Sequence, residues 1–210
     1  MPTLNGVWAY REDAGRDAVF DLLERVAGTG MPHCLQFAPG CTGELGALAE
    51  ERGMRREADI PLMALTRKAE LPRLDQEDLV IEVLEPRQSL VHAELAAAGF
   101  NAPVDAFVGL MTPAVMERPG VHAYIGKIDG EAVATGAAVC LENHVGLFNV
   151  ATLPAHRRRG YGAAITERAV RDGLDRGARW AWLQSSTAGY GVYEKLGFRT
   201  QQSWECWISA

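Results

Sequence analysis

The sequence of 210 residues lacks several features that define broad classes of protein. Nowhere do about 18 apolar residues follow one another, so no helix is expected to span a membrane. The N-terminus has no basic segment followed by an apolar run, which argues against a secretory signal. Acidic and basic residues are interleaved at a net charge of −6, which argues against a general nucleic-acid or membrane surface. We therefore predict a cytoplasmic globular protein in which any anion site is local.

Cysteine is scarce and carries no metal pattern. None of the four cysteines forms a C-x-x-C pair or lies at zinc-ligand spacing from a histidine. We predict reduced, mostly buried thiols and no metal site. Because 48% of the residues are apolar, the chain can fill the core of one large domain or of two small ones.

Turn signals and apolar periodicity predict the elements of the second half. Residues 121–152 hold three β-rich runs, with Asp129-Gly130 as a two-residue hairpin turn and "LENH" as a second turn. Apolar residues at helical spacing predict a helix over 163–176, closed by Gly177. The other predicted elements are a strand at 79–85, helices broken by Pro or Gly at 86–100 and 103–116, a strand at 178–184, a short helix near 189–196 and a final strand or hairpin. Trp180 and Trp182 share one face of the strand at 178–184 and are expected in the core, with the wall of a binding pocket as the alternative. This order predicts an α/β or mixed α+β layer structure.

The first 75 residues are predicted to form a smaller unit, joined to residues 76–210 through the polar segment "RKAELPRLDQED". Residues 35–55 can be laid beside residues 183–199 if four residues are gapped in the loop. The matched pairs are then Ala49 with Tyr193, Glu50 with Glu194 and Gly53 with Gly197. Two explanations stay open: a degenerate internal repeat that has lost the tyrosine, and a chance similarity between two amphipathic helices that end in glycine.

The stretch "VATLPAHRRRGYGAA", residues 150–164, places three arginines and a Gly-x-Gly turn after an apolar run. Ile165 stands where a dinucleotide-binding turn needs its third glycine, and Ala163 stands where a P-loop needs lysine. What remains is a helix start with free N–H groups, the positive end of the helix dipole, and glycines that let a ligand approach closely. We interpret it as a pyrophosphate cradle assisted by arginines, with a solvated basic loop as the alternative.

These residues resemble a known superfamily. The R-x-x-G-x-G signature of Arg157, Gly160 and Gly162 follows a strand that ends in Leu153-Pro154, and Y-x-x-x-G-F comes later at 193–198. Together they look like the GCN5-related N-acetyltransferases, the GNAT superfamily. The likeness is strongest over 145–199 and extends by element order to about 78–208. It implies the GNAT acyl-CoA N-acyltransferase fold, a central mixed twisted sheet with helices on both faces, beside a small, degenerate GNAT-like unit at 1–75.

The resemblance implies acetyl-CoA, or another acyl-CoA, as the acyl donor. The acyl transfer that it implies needs no metal. The strand at 147–152 would splay from its parallel neighbour so that the pantetheine arm enters the gap. The residues implied at the CoA are Val150, Ala151 and Thr152 through their backbone groups, Arg157, Arg158, Arg159, Gly160, Tyr161, Gly162 and Ala163 around the pyrophosphate, and Ser186 and Tyr193 beside the arm. Among them, Arg157 is expected to brace the loop, and Ser186 stands where the family often has Asn.

Tyr193 is the catalytic residue that the resemblance implies, as proton donor to the thiolate leaving group. A strand N–H would stabilise the tetrahedral oxyanion. Many relatives use a strand glutamate as general base, but "VGLFNVAT" contains no carboxylate. Glu142 or His144 acting through a water, and Asn149 orienting one, stay open, and no base is assigned.

The sequence thus predicts an N-acetyltransferase that transfers an acetyl group from acetyl-CoA to a primary amine by direct attack in a ternary complex. The alternative is a non-catalytic module that binds acyl-CoA, suggested by the missing carboxylate. The expected partners are acetyl-CoA and an amine, not nucleic acid or a membrane, and the identity of the amine and a homodimer are left open. The first 75 residues are expected to bind no CoA.

Overall fold

The structure is a computed structural model that describes residues 2–11, 13–66, 71–74 and 76–209, with the backbone alone at Thr42. In these ranges the strands are β1 (Gly6–Ala9), β2 (Cys34–Phe37), β3 (Arg55–Arg56), β4 (Ile60–Thr66), β5 (Val80–Val83), β6 (Val121–Ile128), β7 (Glu131–Leu141), β8 (His144–Thr152), β9 (Trp180–Gln184) and β10 (Arg199–Ile208). The helices are α1 (Arg16–Ala27), α2 (Thr42–Glu51), α3 (Ser89–Phe100), α4 (Asp105–Val108), α5 (Pro113–Met116), α6 (Tyr161–Asp175) and α7 (Tyr190–Lys195). None of these described helices is long and apolar enough to cross a membrane.

The chain divides into two compact units. The first comprises residues 1–62, 185–187 and 200–210, and the second comprises residues 63–184 and 188–199. The boundary predicted from the sequence follows Asp75, and both Asp75 and residues 67–70 of the predicted linker lie outside the described residues. The division falls inside β4 and β10, so the C-terminal strand contributes to the sheet of the first unit.

The first unit is built on β1, β2 and the end of β10. Strand β1 runs parallel to β2, while β2 runs antiparallel to β10 with Gln36 opposite Cys206. Strand β3 pairs with β10 as well. Buried side chains such as Leu35 and Leu48 fill a core within this unit. All four cysteines of the chain are reduced thiols, and all but Cys140 are buried, as predicted.

In the second unit, strands β5 to β9 lie in the order β5–β6–β7–β8–β9, and the end of β4 belongs to this unit as well. Neighbours are antiparallel from β5 to β8, and β8 and β9 are parallel. The β6–β7 hairpin turns at Asp129 and Gly130, whose φ angles of 50° and 85° are those that a two-residue turn of this kind requires. The next turn contains Glu142, also at positive φ. Both predicted turns are therefore confirmed.

Helices cover both faces of this second sheet. On one face α6 packs against β8, where a Cβ on Gly173 would come within 2.8 Å of Val145 Cγ1. On the other face α3 and α5 enclose a core that includes Leu95, Met116 and Ala137. A mixed sheet with helices on both faces confirms the predicted fold class. The helices expected at 86–100 and 103–116 are present as α3 and as the short pair α4 and α5.

The two helix ends compared in the sequence have the same local geometry. Gly53 and Gly197 both adopt positive φ, at 63° and 94°. The bonds that close these ends run from Met54 N–H to the Ala49 carbonyl and from Phe198 N–H to the Tyr193 carbonyl, each 3.0 Å long. Both explanations left open by the sequence predict this geometry, because helices that end in glycine commonly close in this way.

Candidate functional site

The central feature of the second unit is a gap between two parallel strands. Strand β8 pairs with β9 only where His144, Val145 and Gly146 lie opposite residues 180–182. Beyond Gly146 no pairing of β8 with β9 is found among the described residues, although β8 continues to Thr152 and β9 to Gln184. The splay expected for residues 147–152 is therefore present.

A β-bulge lies in the splayed part of β8. Phe148 is opposite Ala137 and Ala151 is opposite Thr135, so residues 149–150 of β8 face the single residue between them on β7. Asn149 adopts φ of 52°, a conformation that Asn tolerates better than most residues. The bulge bends the strand and changes the direction of its backbone groups. The bulge was not predicted from the sequence, because one extra residue shifts the alternation of side chains without interrupting the apolar run.

The end of β8 is held by α3 and by the arginine of the signature. Gly99 on α3 approaches so closely that a Cβ there would lie 2.7 Å from Ala151 Cβ. Arg157 donates hydrogen bonds to the Gly99 carbonyl at 2.6 Å and to the Thr152 carbonyl at 3.4 Å. The Arg157 side chain is thus used within the loop, where it ties the helix to the strand.

The loop then turns directly into α6. Arg158 and Gly160 adopt positive φ, at 66° and 88°, and no side chain caps the helix. Because the first helical bond of α6 is Ala164 N–H to the Gly160 carbonyl, at 3.0 Å, the preceding N–H groups start the helix without an intrahelical acceptor. The helix begins at Tyr161, two residues before the predicted start at Ala163, since Gly160 supplies the left-handed residue that precedes it.

The start of α6 lies against the end of β8. A Cβ on Gly162 would lie 3.4 Å from Thr152 Oγ1 and 3.8 Å from Val150 Cγ1. Two of the predicted strand residues and one of the predicted loop residues therefore meet in one place. Ala163 is half-buried at the same turn, and Arg158 and Arg159 are exposed beside it.

Tyr161 directs its side chain away from this surface. The ring is buried, and its hydroxyl donates a 2.6 Å hydrogen bond to Asp78, which raises the pKa of Tyr161. Only its backbone is left for a ligand. Asp78 was not predicted, because 83 residues separate it from Tyr161.

Tyr193 lies on α7, the helix that follows β9. Its ring packs edge-on against Phe198 with 6.1 Å between centroids. Burial raises the pKa of Tyr193 to about 12, so the phenol stays protonated at neutral pH. Its hydroxyl has no hydrogen-bond partner in the described part of the chain. Ser186 belongs to the first unit, and its predicted contact with the pantetheine arm stays a prediction.

The residues considered as bases do not form a carboxylate site. Glu142 is exposed in the β7–β8 turn, and His144 stacks on Trp180 with 4.9 Å between ring centroids. Trp180 is 36% exposed, so the expectation that both tryptophans lie in the core is wrong for this one, while Trp182 is half-buried. Across the described ranges, no group of three or more His, Cys, Asp or Glu residues is arranged to hold a metal ion.

Comparison with known proteins identifies the family of this arrangement. Residues 91–198 match the Acetyltransferase (GNAT) family. Among solved structures, a GCN5-related N-acetyltransferase from Kribbella flavida superposes with a TM-score of 0.67 at 20% identity, covering 91% of this chain and 74% of that one. A GCN5-related N-acetyltransferase from Sphaerobacter thermophilus gives 0.67 at 15% identity, covering 100% and 74%.

A third solved structure is an aminoglycoside acetyltransferase from an uncultured soil metagenomic sample, with a TM-score of 0.52 at 25% identity and coverage of 59% and 93%. No curated protein matches the chain. The two bacterial structures share the fold over most of their length, and the family match spans more than half of the sequence. The chain therefore belongs to the Acetyltransferase (GNAT) family.

Proposed function

We propose that the protein is an acyl-CoA-dependent N-acyltransferase that moves an acetyl group from acetyl-CoA to a primary amine. The observation that carries the proposal is the gap between β8 and β9, bordered by a strand that leads to the uncapped N-terminus of α6. A long ligand with an anionic group at one end and a thioester at the other fits this arrangement. Acetyl-CoA is a ligand of that kind.

The pyrophosphate of the ligand would lie at the start of α6. The N–H groups of Tyr161, Gly162 and Ala163 have no intrahelical acceptor, and the helix dipole is positive at this end. Arg158 and Arg159 are exposed beside them, and each charge-assisted hydrogen bond to phosphate is worth roughly 1.5–3 kcal/mol.

The pantetheine arm and the thioester would follow β8 into the gap. Backbone groups of Val150, Ala151 and Thr152 on the side of β9 have no partner strand there. An amide N–H fixed by the sheet costs no reorganisation when the thioester carbonyl becomes an oxyanion, which is where such a donor accelerates acyl transfer. The attack of the neutral amine forms the new C–N bond, the nitrogen then loses one proton to solvent, and the collapse of the tetrahedral intermediate breaks the C–S bond.

Tyr193 would donate the proton that the departing thiolate takes up. Its pKa of about 12 lies above that of an ordinary thiol, near 8.5, so the transfer would be unfavourable in water. Apolar surroundings that raise the pKa of the phenol also raise the pKa of the CoA thiol in the same gap. The difference between the two pKa values in the gap is therefore smaller than these two numbers indicate. No covalent enzyme intermediate is required.

Isothermal titration with acetyl-CoA tests the donor site. Gly162→Glu places a carboxylate at the second residue of α6, where it would repel the pyrophosphate, and a Cβ there meets only ordinary contacts. Gly43→Glu is the matched control, because Gly43 is the second residue of α2 and a Cβ on it meets nothing within 4 Å. We expect wild type and Gly43→Glu to bind one acetyl-CoA in the micromolar range and Gly162→Glu to bind at least about tenfold more weakly. Equal binding by both variants would overturn the proposal.

Turnover separates the enzyme from the non-catalytic alternative. Release of free CoA thiol, measured with acetyl-CoA and a broad panel of amines, is expected for wild type. Acetyl-CoA binding without transfer to any amine would instead support an acyl-CoA-binding module, the reading suggested by the absence of a carboxylate from β8.

We also propose that the first unit is a degenerate GNAT-like unit that binds no CoA. Its β1–α1–β2–α2 order repeats the β8–α6–β9–α7 order of the second unit, and in both cases the two strands are parallel. The turn into α1 carries an Arg11–Asp13 ion pair, and Asp17 lies in the first turn of the helix, where it would repel a phosphate. A cytoplasmic location and a homodimer stay predictions of the sequence.

A further inference from the structure

Four aromatic rings lie on one face of β8 and β9, where the strand gap opens. We call His144, Phe148, Trp180 and Trp182 the aromatic platform. His144 stacks on Trp180 at 4.9 Å between centroids, and Phe148 meets Trp182 edge-on at 5.4 Å. Gly146 lies between them, and a Cβ on it would come within 2.8 Å of the Trp182 ring. The missing side chain therefore lets Trp182 lie directly over the strand.

Two rings of the aromatic platform are exposed and two are half-buried, although all four belong to the central sheet. Phe148 is 39% and Trp180 is 36% exposed, whereas the alternating residues of the same strands, such as Val145 and Ala181, are completely buried. Adjacent exposed aromatic side chains mark ligand or partner surfaces more often than scattered ones do. Their position on strands rather than loops keeps the rings fixed.

The aromatic platform also lies next to the proposed thioester site. Phe148 is the second residue after the last β8–β9 pair, and Ala151 follows it by three residues on the same strand. At about 3.3 Å of rise per residue a regular strand would place these two residues roughly 10 Å apart, and the bulge at 149–150 shortens that distance. One small molecule can span that distance.

This chemistry answers the missing carboxylate on β8. A primary amine of pKa near 10.4 arrives as a cation and has to lose a proton before it can attack the thioester. Contact with apolar surface disfavours the charged form of the amine and so increases the fraction of the neutral nucleophile. The organic part of the substrate gains apolar contact at the same time.

We propose that the aromatic platform binds the acceptor and selects a primary amine carried on an aromatic or otherwise apolar group. The proposal rests on the N-acyltransferase function proposed above and specifies its substrate class. Polycationic, sugar-like amines would find no carboxylates on β8 or β9 to pair with.

Steady-state kinetics with acetyl-CoA and three amines tests the selection: 2-phenylethylamine, ethylamine and kanamycin. We expect kcat/KM for 2-phenylethylamine to exceed the values for the other two at least about tenfold. Phe148→Ala and Trp180→Ala should each lower it about tenfold, lower the value for ethylamine much less, and leave the Kd of acetyl-CoA unchanged. Val80→Ala, which trims a residue that is 60% exposed on β5, is the matched control and should change neither. A preference for kanamycin or ethylamine, or equal losses for all amines, would overturn the proposal.

Binding provides a readout that does not depend on turnover. Titration of 2-phenylethylamine into the complex of the full chain with CoA should give saturable binding that Phe148→Ala weakens, with Phe148→Leu intermediate. If the wild type binds acetyl-CoA but does not bind 2-phenylethylamine, the platform proposal is overturned and the proposed function is not. Loss of acetyl-CoA binding by the wild type would contradict the proposed function itself.

Discussion

Mild acid should destabilise the protein through His92, which is completely buried on α3. Thr135 donates its hydroxyl hydrogen to the Tyr124 carbonyl at 2.8 Å, so its oxygen accepts from His92 Nδ1–H at 2.7 Å. This fixes the neutral tautomer, and His92 Nε2 is buried with no hydrogen-bond partner in the described residues. Burial lowers the pKa of His92 from 6.5 to about 4.

The sign follows from the protons that each state binds. The unfolded chain takes up a proton on this imidazole near pH 6.5, whereas the folded chain does so only near pH 4. The contribution of neutral His92 to the free energy of unfolding is therefore present above pH 6.5 and is lost as the pH falls toward 4. The lowered pKa corresponds to a loss of about 2 kcal/mol between pH 7 and pH 5, and about 3 kcal/mol by pH 4.

His92→Leu isolates this contribution. The leucine fills a similar volume, and Thr135 still donates to the Tyr124 carbonyl, so we expect the variant to lie within about 1 kcal/mol of wild type at pH 7.5. Urea unfolding of both proteins from pH 7.5 to pH 4.5 gives the difference in the free energy of unfolding, in which the titration of all other groups cancels. The variant should become the more stable protein by about 2 kcal/mol at pH 5. Parallel curves for the two proteins would refute the reasoning.

Three further predictions concern the CoA site. Tyr193→Phe should lower kcat for acetyl transfer about tenfold or more with the Kd of acetyl-CoA unchanged, and an unchanged kcat would remove the phenol from the proposed mechanism. Arg157→Met should lower the free energy of unfolding by about 1–2 kcal/mol in urea titrations and weaken acetyl-CoA binding, because two carbonyls lose a charged donor. Arg157→Lys should restore part of the stability and part of the affinity. An Arg157→Met variant as stable as wild type would contradict the bracing role. Arg158→Gly should stay within about 1 kcal/mol of wild type in stability, since φ of 66° suits glycine, and should bind acetyl-CoA several-fold more weakly at low salt; equal affinity at low salt would exclude this guanidinium from the site.

Local chemistry explains which elements the sequence could predict. The β6–β7 turn was predictable because Asp129-Gly130 accepts positive φ at both positions, and Gly177 at φ of 105° marks the end of α6 for the same reason. The start of α6 was placed two residues late, since helical periodicity begins to show only after the first turn. The bulge at Asn149 could not be predicted from the order of apolar and polar residues, because one extra residue merely shifts the alternation of side chains between the two faces of the strand.

Contacts between distant residues were beyond local patterns. Arg157 was expected to brace the loop, but its acceptor Gly99 is 58 residues away on another helix. Trp180 was assigned to the core from its type, whereas its exposure depends on which helices cover that face of the sheet. A side chain's partner or its exposed fraction follows from the assembled layers, and a single sequence contains that information only indirectly.

The two units differ at the positions where we propose that acetyl-CoA binds, and we expect only the second unit to bind it. At the position that the sequence comparison matches with Tyr193, the first unit has Ala49, which is completely buried in that unit's core. Its corresponding helix start, Gly15-Arg16-Asp17, places an aspartate in the first turn of α1 and does not contain the R-x-x-G-x-G signature. Replacing Ala49 by tyrosine would overfill a packed core instead of restoring an acid. If the two units descend from one ancestral unit, the first has exchanged its ligand-facing positions for packing, which explains why we expect one acetyl-CoA per chain.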